Sequence, residues 1–183
     1  MKKLPLLVLA TITSLPMVAR AEFNPGAFYS NLGATLITND SHDESAYYVE
    51  LGYSHRFDSI FSADVSYKKV ETFNSTVSAG SNDFSQTYDS YGVGVRADQQ
   101  IGVINLFAKA GGNFIASELT TWNNTTASEQ TDKDNSVKPY ASAGINIASP
   151  FDNRITFGAA ITYEMLPNDE HATSFSSGVN YAF

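Results

Sequence analysis

The chain has 183 residues, with 11 basic against 19 acidic side chains, 12 glycines and no cysteine. The acidic balance argues against nucleic acid and anionic surfaces as partners of the protein as a whole. Without cysteine, neither a disulfide framework nor a cysteine-linked lipid anchor is possible.

The first stretch, MKKLPLLVLATITSLPMVARA, sets Lys2 and Lys3 before an apolar run from Leu4 to Val18 and closes on Ala19, Arg20 and Ala21. This is the three-part layout of a secretory signal peptide, and the run is shorter than the 18 or so residues a spanning helix requires. Residues 1–21 are therefore expected to be removed, leaving residues 22–183 as one domain. That domain carries 8 basic and 19 acidic side chains, a net charge of −11. It holds no further apolar run long enough for a helix, so a place in a membrane requires a closed barrel.

Reading with a period of two gives eight segments. The first, about Gly26 to Thr38, puts Phe28, Leu32, Ala34 and Leu36 on one face and Tyr29, Asn31, Gly33 and Thr35 on the other. The second, Ala46 to Phe57, sets Tyr47, Val49, Leu51 and Tyr53 against Tyr48, Glu50, Gly52, Ser54 and Arg56. The third, from about Ile60, sets Phe61, Ala63, Val65 and Tyr67 against Ser62, Asp64, Ser66 and Lys68. The fourth, about Thr87 to Ala97, opposes Tyr91, Val93 and Val95 to Ser90, Gly92, Gly94 and Arg96.

The fifth, Ile104 to Ala116, carries Ile104, Leu106, Ala108, Ala110 and Phe114 on its apolar face; the sixth, Val137 to Ala148, carries Ala141, Ala143, Ile145 and Ile147. In the seventh, Ile155, Phe157, Ala159, Ile161 and Tyr163 alternate with Thr156, Gly158, Ala160, Thr162 and Glu164. The eighth, from Thr173, ends in GVNYAF with Phe175, Val179, Tyr181 and Phe183 on one face. Each segment is roughly 10 to 13 residues long, about the length that a tilted transmembrane strand needs.

Short connections at Phe57–Phe61, Asp98–Gly102 and Ser149–Asn153 alternate with four others at Asn39–Ser45, Val70–Gln86, Ser117–Ser136 and Leu166–Ala172. Short periplasmic turns and longer outer loops have this rhythm. An even strand count lets the first and last strands pair antiparallel and removes both edges. The expected fold is an all-β, eight-stranded antiparallel up-and-down transmembrane barrel. Aromatic residues of the apolar face fall at both strand ends, as at two lipid interfaces. Eight of the 12 glycines fall on the other face, where a narrow interior requires small residues. A soluble barrel of the lipocalin type would invert the two faces.

LFAKAGGNF in the fifth segment, KPYASAGINIA in the sixth and GVNYAF at the end resemble the corresponding strands of the OmpA-like transmembrane barrels, including the small OmpX and Ail branch. The resemblance covers nearly all of residues 22–183. It implies a Gram-negative outer-membrane location with both termini periplasmic and contact with outer-membrane lipid and lipopolysaccharide. In that family the final aromatic residue is read by the outer-membrane assembly machinery; Phe183, with Tyr181, matches that position. No peptidoglycan-binding domain follows the barrel segments in this sequence, and the outer loops match no characterised adhesin.

Seven charged residues fall on the polar face: Glu50, Arg56, Asp64, Lys68, Arg96, Lys109 and Glu164. With Asp58, Ser59 and Ile60 as the turn, Glu50 is expected opposite Lys68 and Ser54 opposite Asp64, with Arg56 diagonal to Asp64. Because unpaired charges in a narrow interior are costly, a paired network filling the lumen is expected. Its functional alternative is a gated small pore. Of the histidines, His42, His55 and His171, only His171 has a local serine and acid, Ser174 and Glu170, and the spacing resembles no lipid-modifying barrel.

Asp40, His42, Asp43 and Glu44 supply oxygen ligands but lack the spacing of a calcium loop. They read as an acidic loop near lipopolysaccharide-bound cations. Asn74, Asn123 and Asn124 match glycosylation sequons, which carry little meaning in a bacterial outer membrane. Trp122 is the one large aromatic in SELTTWNNTTASEQTDKDNS and a candidate contact residue, by anchoring a partner or by dipping into the interface. No catalytic, cofactor or metal residues are assigned. The expectation is a monomeric, non-enzymatic outer-membrane protein whose outer loops mediate surface interaction or envelope integrity through an extracellular ligand. A small nonspecific channel is the alternative, and a lipid-modifying enzyme stands behind it.

Overall fold

The computed structural model describes residues 26–39, 42–73, 84–123, 128–152, 154–167 and 170–183; the leader region 1–21 lies outside them. Eight strands follow in chain order: β1 Gly26–Asn39, β2 His42–Arg56, β3 Phe61–Thr72, β4 Phe84–Ile101, β5 Ile104–Asn123, β6 Ser128–Ala148, β7 Ile155–Met165 and β8 His171–Ala182. Each pairs antiparallel with its neighbour, and β1 pairs with β8 from Ala27↔Ala182 to Thr38↔His171, closing the ring. A closed ring leaves no sheet edge within the wall, which hydrocarbon requires because it satisfies no backbone group.

The period-two pattern decides which side chains face out. Val93 is 65% exposed, Leu32 61% and Phe175 62%, whereas Glu164 and Ser174 are 0% exposed. Ile145 and Ile161 also face outward, and Lys109 is buried. The exterior is thus apolar and the interior polar, the reverse of a soluble barrel. Exposed rings gather near both rims: Tyr47, Phe114 and Phe175 at one, Phe28, Phe61 and Phe157 at the other. Inside, bulk must alternate with emptiness. Tyr29 stands opposite Gly52, and a Cβ on Gly52 would lie 2.1 Å from the Tyr29 ring.

One end of the barrel carries the tight connections. At 57–60, Asp58 Oδ1 accepts the backbone N–H groups of Ile60 (2.7 Å) and Phe61 (2.6 Å). These amides hold its carboxyl below the ordinary range, that of Phe61 most. The turn therefore gains from ionised Asp58 above the ordinary carboxylate pKa and loses this as acid protonates it. The second tight connection differs from the sequence expectation of Asp98–Gly102. β4 runs on to Ile101, opposite Ile104, and only Gly102 and Val103 turn. Asp98 and Gln100 continue the inward parity of Arg96, so the polar run ADQQ is strand, with Asp98 and Gln100 toward the lumen and Gln99 on the outward parity of Val95. Gly102 has φ 62° at the first central position, the positive value that the two-residue hairpin turns demand there.

The opposite end departs further. Ser117–Ser136, expected as a loop, is a β5–β6 hairpin paired as far as Asn123↔Ser128. Asn39–Ser45 contracts likewise, because β1 and β2 pair out to Asn39↔His42. With 20 and 21 residues, β5 and β6 are about twice the length that crosses hydrocarbon, so their outer halves project as a ribbon.

Nothing lies within 4 Å of a Cβ built on Gly102, so Gly102→Ala isolates the backbone cost. The expected loss is about 1 to 2 kcal/mol in urea unfolding from lipid vesicles, and an unchanged midpoint would contradict the turn geometry.

Candidate functional site

Eight strands enclose a space so narrow that side chains from opposite walls meet on the axis. β3 and β7 are diametrically opposed, as are β1 and β5. Lys68 on β3 reaches across to an ion pair with Glu164 on β7. Glu164 also accepts from Asn113, from the Tyr88 hydroxyl (3.1 Å) and from Ser90 (3.2 Å). Lys109 on β5 lies 3.1 Å from Asp64 and 3.3 Å from Glu50, and donates to the Tyr29 hydroxyl at 3.1 Å. That hydroxyl donates in turn to Asp64 (2.9 Å), while Asn31 donates to Glu50 (2.8 Å).

The register sets Glu50 opposite Lys68 and Ser54 opposite Asp64. The ion pairs do not follow it, because Lys68 and Lys109 find their partners across the lumen. The register also sets Arg96 directly opposite Lys109, a like-charge placement that is destabilising where both stay put. The conflict is relieved by divergence. Lys109 turns to Glu50 and Asp64, whereas Arg96 turns to Asp98 on its own strand, with Nε–Oδ2 3.0 Å and Nη2–Oδ1 2.8 Å. Its guanidinium lies 4.1 Å from the Phe107 ring centroid.

Six of the seven charged residues singled out in the sequence therefore stand in ion pairs, and Arg56 makes none among the described residues. Asp98 was missed because its segment read as a turn. The signal that reveals it is parity: residues 96, 98 and 100 share a face.

Beyond this network, toward the ribbon, the lumen is closed by apolar side chains. Ile37, Tyr48, Val70, Tyr88, Ile115 and Leu166 form one buried cluster. Leu166 comes from the β7–β8 connection, whose backbone folds back through Leu166 N–H to the Glu170 carbonyl (2.9 Å). A cavity of about 160 Å³ lies at the turn end, and deeper cavities measure only about 20 and 10 Å³.

The ribbon is stapled on its outward face. Glu118 pairs with Lys133, its register partner, and the Thr120 and Thr131 hydroxyls meet at 3.2 Å. Above Tyr140↔Glu164, β6 has no strand on its second side among the described residues. That edge, Ser128 to Pro139, carries Asp132, Lys133, Asp134, Lys138 and a terminal proline, features that discourage uncontrolled strand addition. Trp122 lies in the β5 backbone opposite Glu129; its side chain lies outside the described residues.

The remaining candidates separate. His171, in β8 rather than a loop, lies 5.6 Å from the Tyr163 ring on the outer face, while the Ser174 hydroxyl donates to Thr35 inside. Three residues apart on a strand, they cannot share a face. Asp43 and Glu44 are successive residues of β2 and divide likewise, whereas Asp40 and the His42 side chain lie outside the described residues. His55 Nδ1 is 3.0 Å from the Tyr53 hydroxyl. At the chain end, Phe183 stacks on Phe28 (5.3 Å) and lies 6.2 Å from Tyr53, packing the last ring over the β1–β8 seam.

Closure, inverted polarity and eight antiparallel strands make the barrel fold that small outer-membrane proteins of the OmpA, OmpX and Ail type share. Neisserial surface protein A (NspA) is similar at TM-score 0.69 and 13% identity, over 87% of this chain and 97% of that one. Ail, the attachment invasion locus protein of Yersinia pestis, gives 0.58 and 15% over 86% and 99%; OprG of Pseudomonas aeruginosa gives 0.54 and 13% over 87% and 97%. No family model matches the sequence. No curated protein matches it either.

Removing one member of the Lys68–Glu164 pair leaves a buried charge alone. Glu164→Ala is expected to cost about 3 to 5 kcal/mol in urea unfolding, with part recovered in Lys68→Met/Glu164→Leu. A single-variant cost below about 1 kcal/mol would mean the pair is solvated.

Proposed function

We propose that this chain is a monomeric, non-enzymatic outer-membrane protein that serves as a rigid mount for a surface-contact ribbon. In this reading the termini and tight turns face the periplasm and the β5–β6 ribbon faces outward. The assembly machinery reads Tyr181 and Phe183, and the apolar wall sits among lipid and lipopolysaccharide. The observation that carries the reading is the ribbon itself. A chain needing only a membrane plug has no use for strands twice as long as the membrane demands. These are ordered by an ion pair and a threonine pair, on a barrel whose charges hold its shape.

Ail has been solved with the heparin analogue sucrose octasulfate. The present ribbon offers a polyanion little: Glu118, Asp132 and Asp134 outnumber Lys133 and Lys138. A neutral or basic contact surface suits it better. Against the channel alternative stand the apolar cluster across the lumen and the fall in free volume to about 10 Å³. Against lipid-modifying catalysis stands the separation of His171 from Ser174 on opposite faces.

The register indicates a clean excision. Replacing Leu119–Asp132 by Asn-Gly leaves Glu118 opposite Lys133 across a two-residue turn. The variant is expected to keep the heat-dependent gel mobility of a folded barrel and lose cell-surface adhesion. Wild-type adhesion in the folded variant would overturn the ribbon's role, and conductance steps from wild-type protein in planar bilayers would favour the channel.

A further inference from the structure

The cavity of about 160 Å³ at the turn end lies apart from the Lys68 and Lys109 ion pairs and from the ribbon. Three arginines line it: Arg56 from the end of β2, Arg96 from β4, and Arg154 from the connection before β7, whose guanidinium is turned to Asp152 and the Tyr181 ring. The nearby acids are already occupied. Asp98 is held by Arg96 and by Asn105 (2.6 Å), Asp152 by Arg154 (3.0 Å), and Asp58 by two backbone amides. Arg96 spends only Nε and Nη2 on Asp98, leaving the two N–H bonds of Nη1 without a partner among the described residues. Arg56 is half-buried and makes no hydrogen bond or ion pair with any described residue.

We propose that this vestibule binds a phosphate-type oxyanion, with Arg56 as its principal ligand and the spare N–H groups of Arg96 as its floor. Guanidinium forks match phosphate oxygens in pairs. Arg56 and Arg96 approach from separate strands, which suits a tetrahedral group, whose oxygens point in several directions, better than a planar carboxylate. The remaining lining includes Asn105, Asn146, Asn180 and Thr156, which supply neutral polar atoms for whatever the phosphate carries. Cavities of about 20 and 10 Å³ and the apolar cluster lie beyond, so the ligand enters and leaves at the turn end. The phosphate belongs either to a small soluble molecule or to a lipid headgroup leaning over the rim.

The test uses the refolded barrel in maltoside micelles, which contain no phosphate, titrated with inorganic phosphate and read by calorimetry and by the arginine Nε–H NMR signals. Saturable binding is expected, with shifts at Arg56 and Arg96. Arg56→Gln should weaken it by about tenfold or more while heat-dependent gel mobility persists. Arg56→Lys, which keeps the charge but not the fork, should weaken it too, and it serves where the glutamine variant fails to fold. Repeating the titration in nanodiscs of phosphatidylcholine alone or with phosphatidylglycerol separates the sources. Loss of phosphate binding only with the anionic lipid assigns the site to a headgroup; retention in both assigns it to a soluble phosphate. Absence of saturable binding in the wild type, or equal affinity in both Arg56 variants, would overturn the proposal.

Discussion

Pairing of β1 with β8 closes eight strands into a ring, and the other features of the barrel follow from that closure. In hydrocarbon an open sheet would leave two rows of amide groups with no partner, each costing several kcal/mol. Closure removes them and at the same stroke sets the interior width. That width admits side chains and little else. The glycines opposite tyrosines, the charges meeting on the axis and the small cavities all follow from it.

Inside so narrow a ring, cross-strand neighbours are not the natural partners of long side chains. Lys68 stands beside Glu50 in the register but pairs with Glu164 across the barrel; Lys109 on β5 takes Glu50 and Asp64 from the other wall. These ties connect strands that share no backbone hydrogen bond, so they brace the cylinder against flattening. Tyr29, Tyr88 and Asn113 add hydrogen bonds to the buried carboxylates, which makes the charge network tolerable, while Asp64 Oδ2 and the Tyr140 hydroxyl have no partner among the described residues.

The two ends of the barrel then acquire different characters. At the ribbon end an apolar cluster including Leu166 shuts the lumen, and β4, β5 and β6 rise past the other strands. At the turn end, arginines and amides surround an open polar cup. A wall of uniform outward greasiness thus carries an ordered surface at one end and a small charged recess at the other.

By itself the sequence determined the strand count, the facing of each strand and the even-numbered closure, because a period of two is local and each misplaced charge would meet lipid. It also contained the inward charges and the register of β2 on β3, since the turn at Asp58 counts residues directly. What tertiary structure alone decided was where charges pair and where strands stop. Lys68 meeting Glu164 depends on which strands lie opposite in the ring, information no single segment holds. Asp98 belongs to β4 only because Arg96 and Asn105 await it inside. The threonine- and charge-rich stretch from Ser117 to Ser136 becomes ribbon rather than loop because Glu118 and Lys133 come face to face once β5 and β6 are aligned within the barrel.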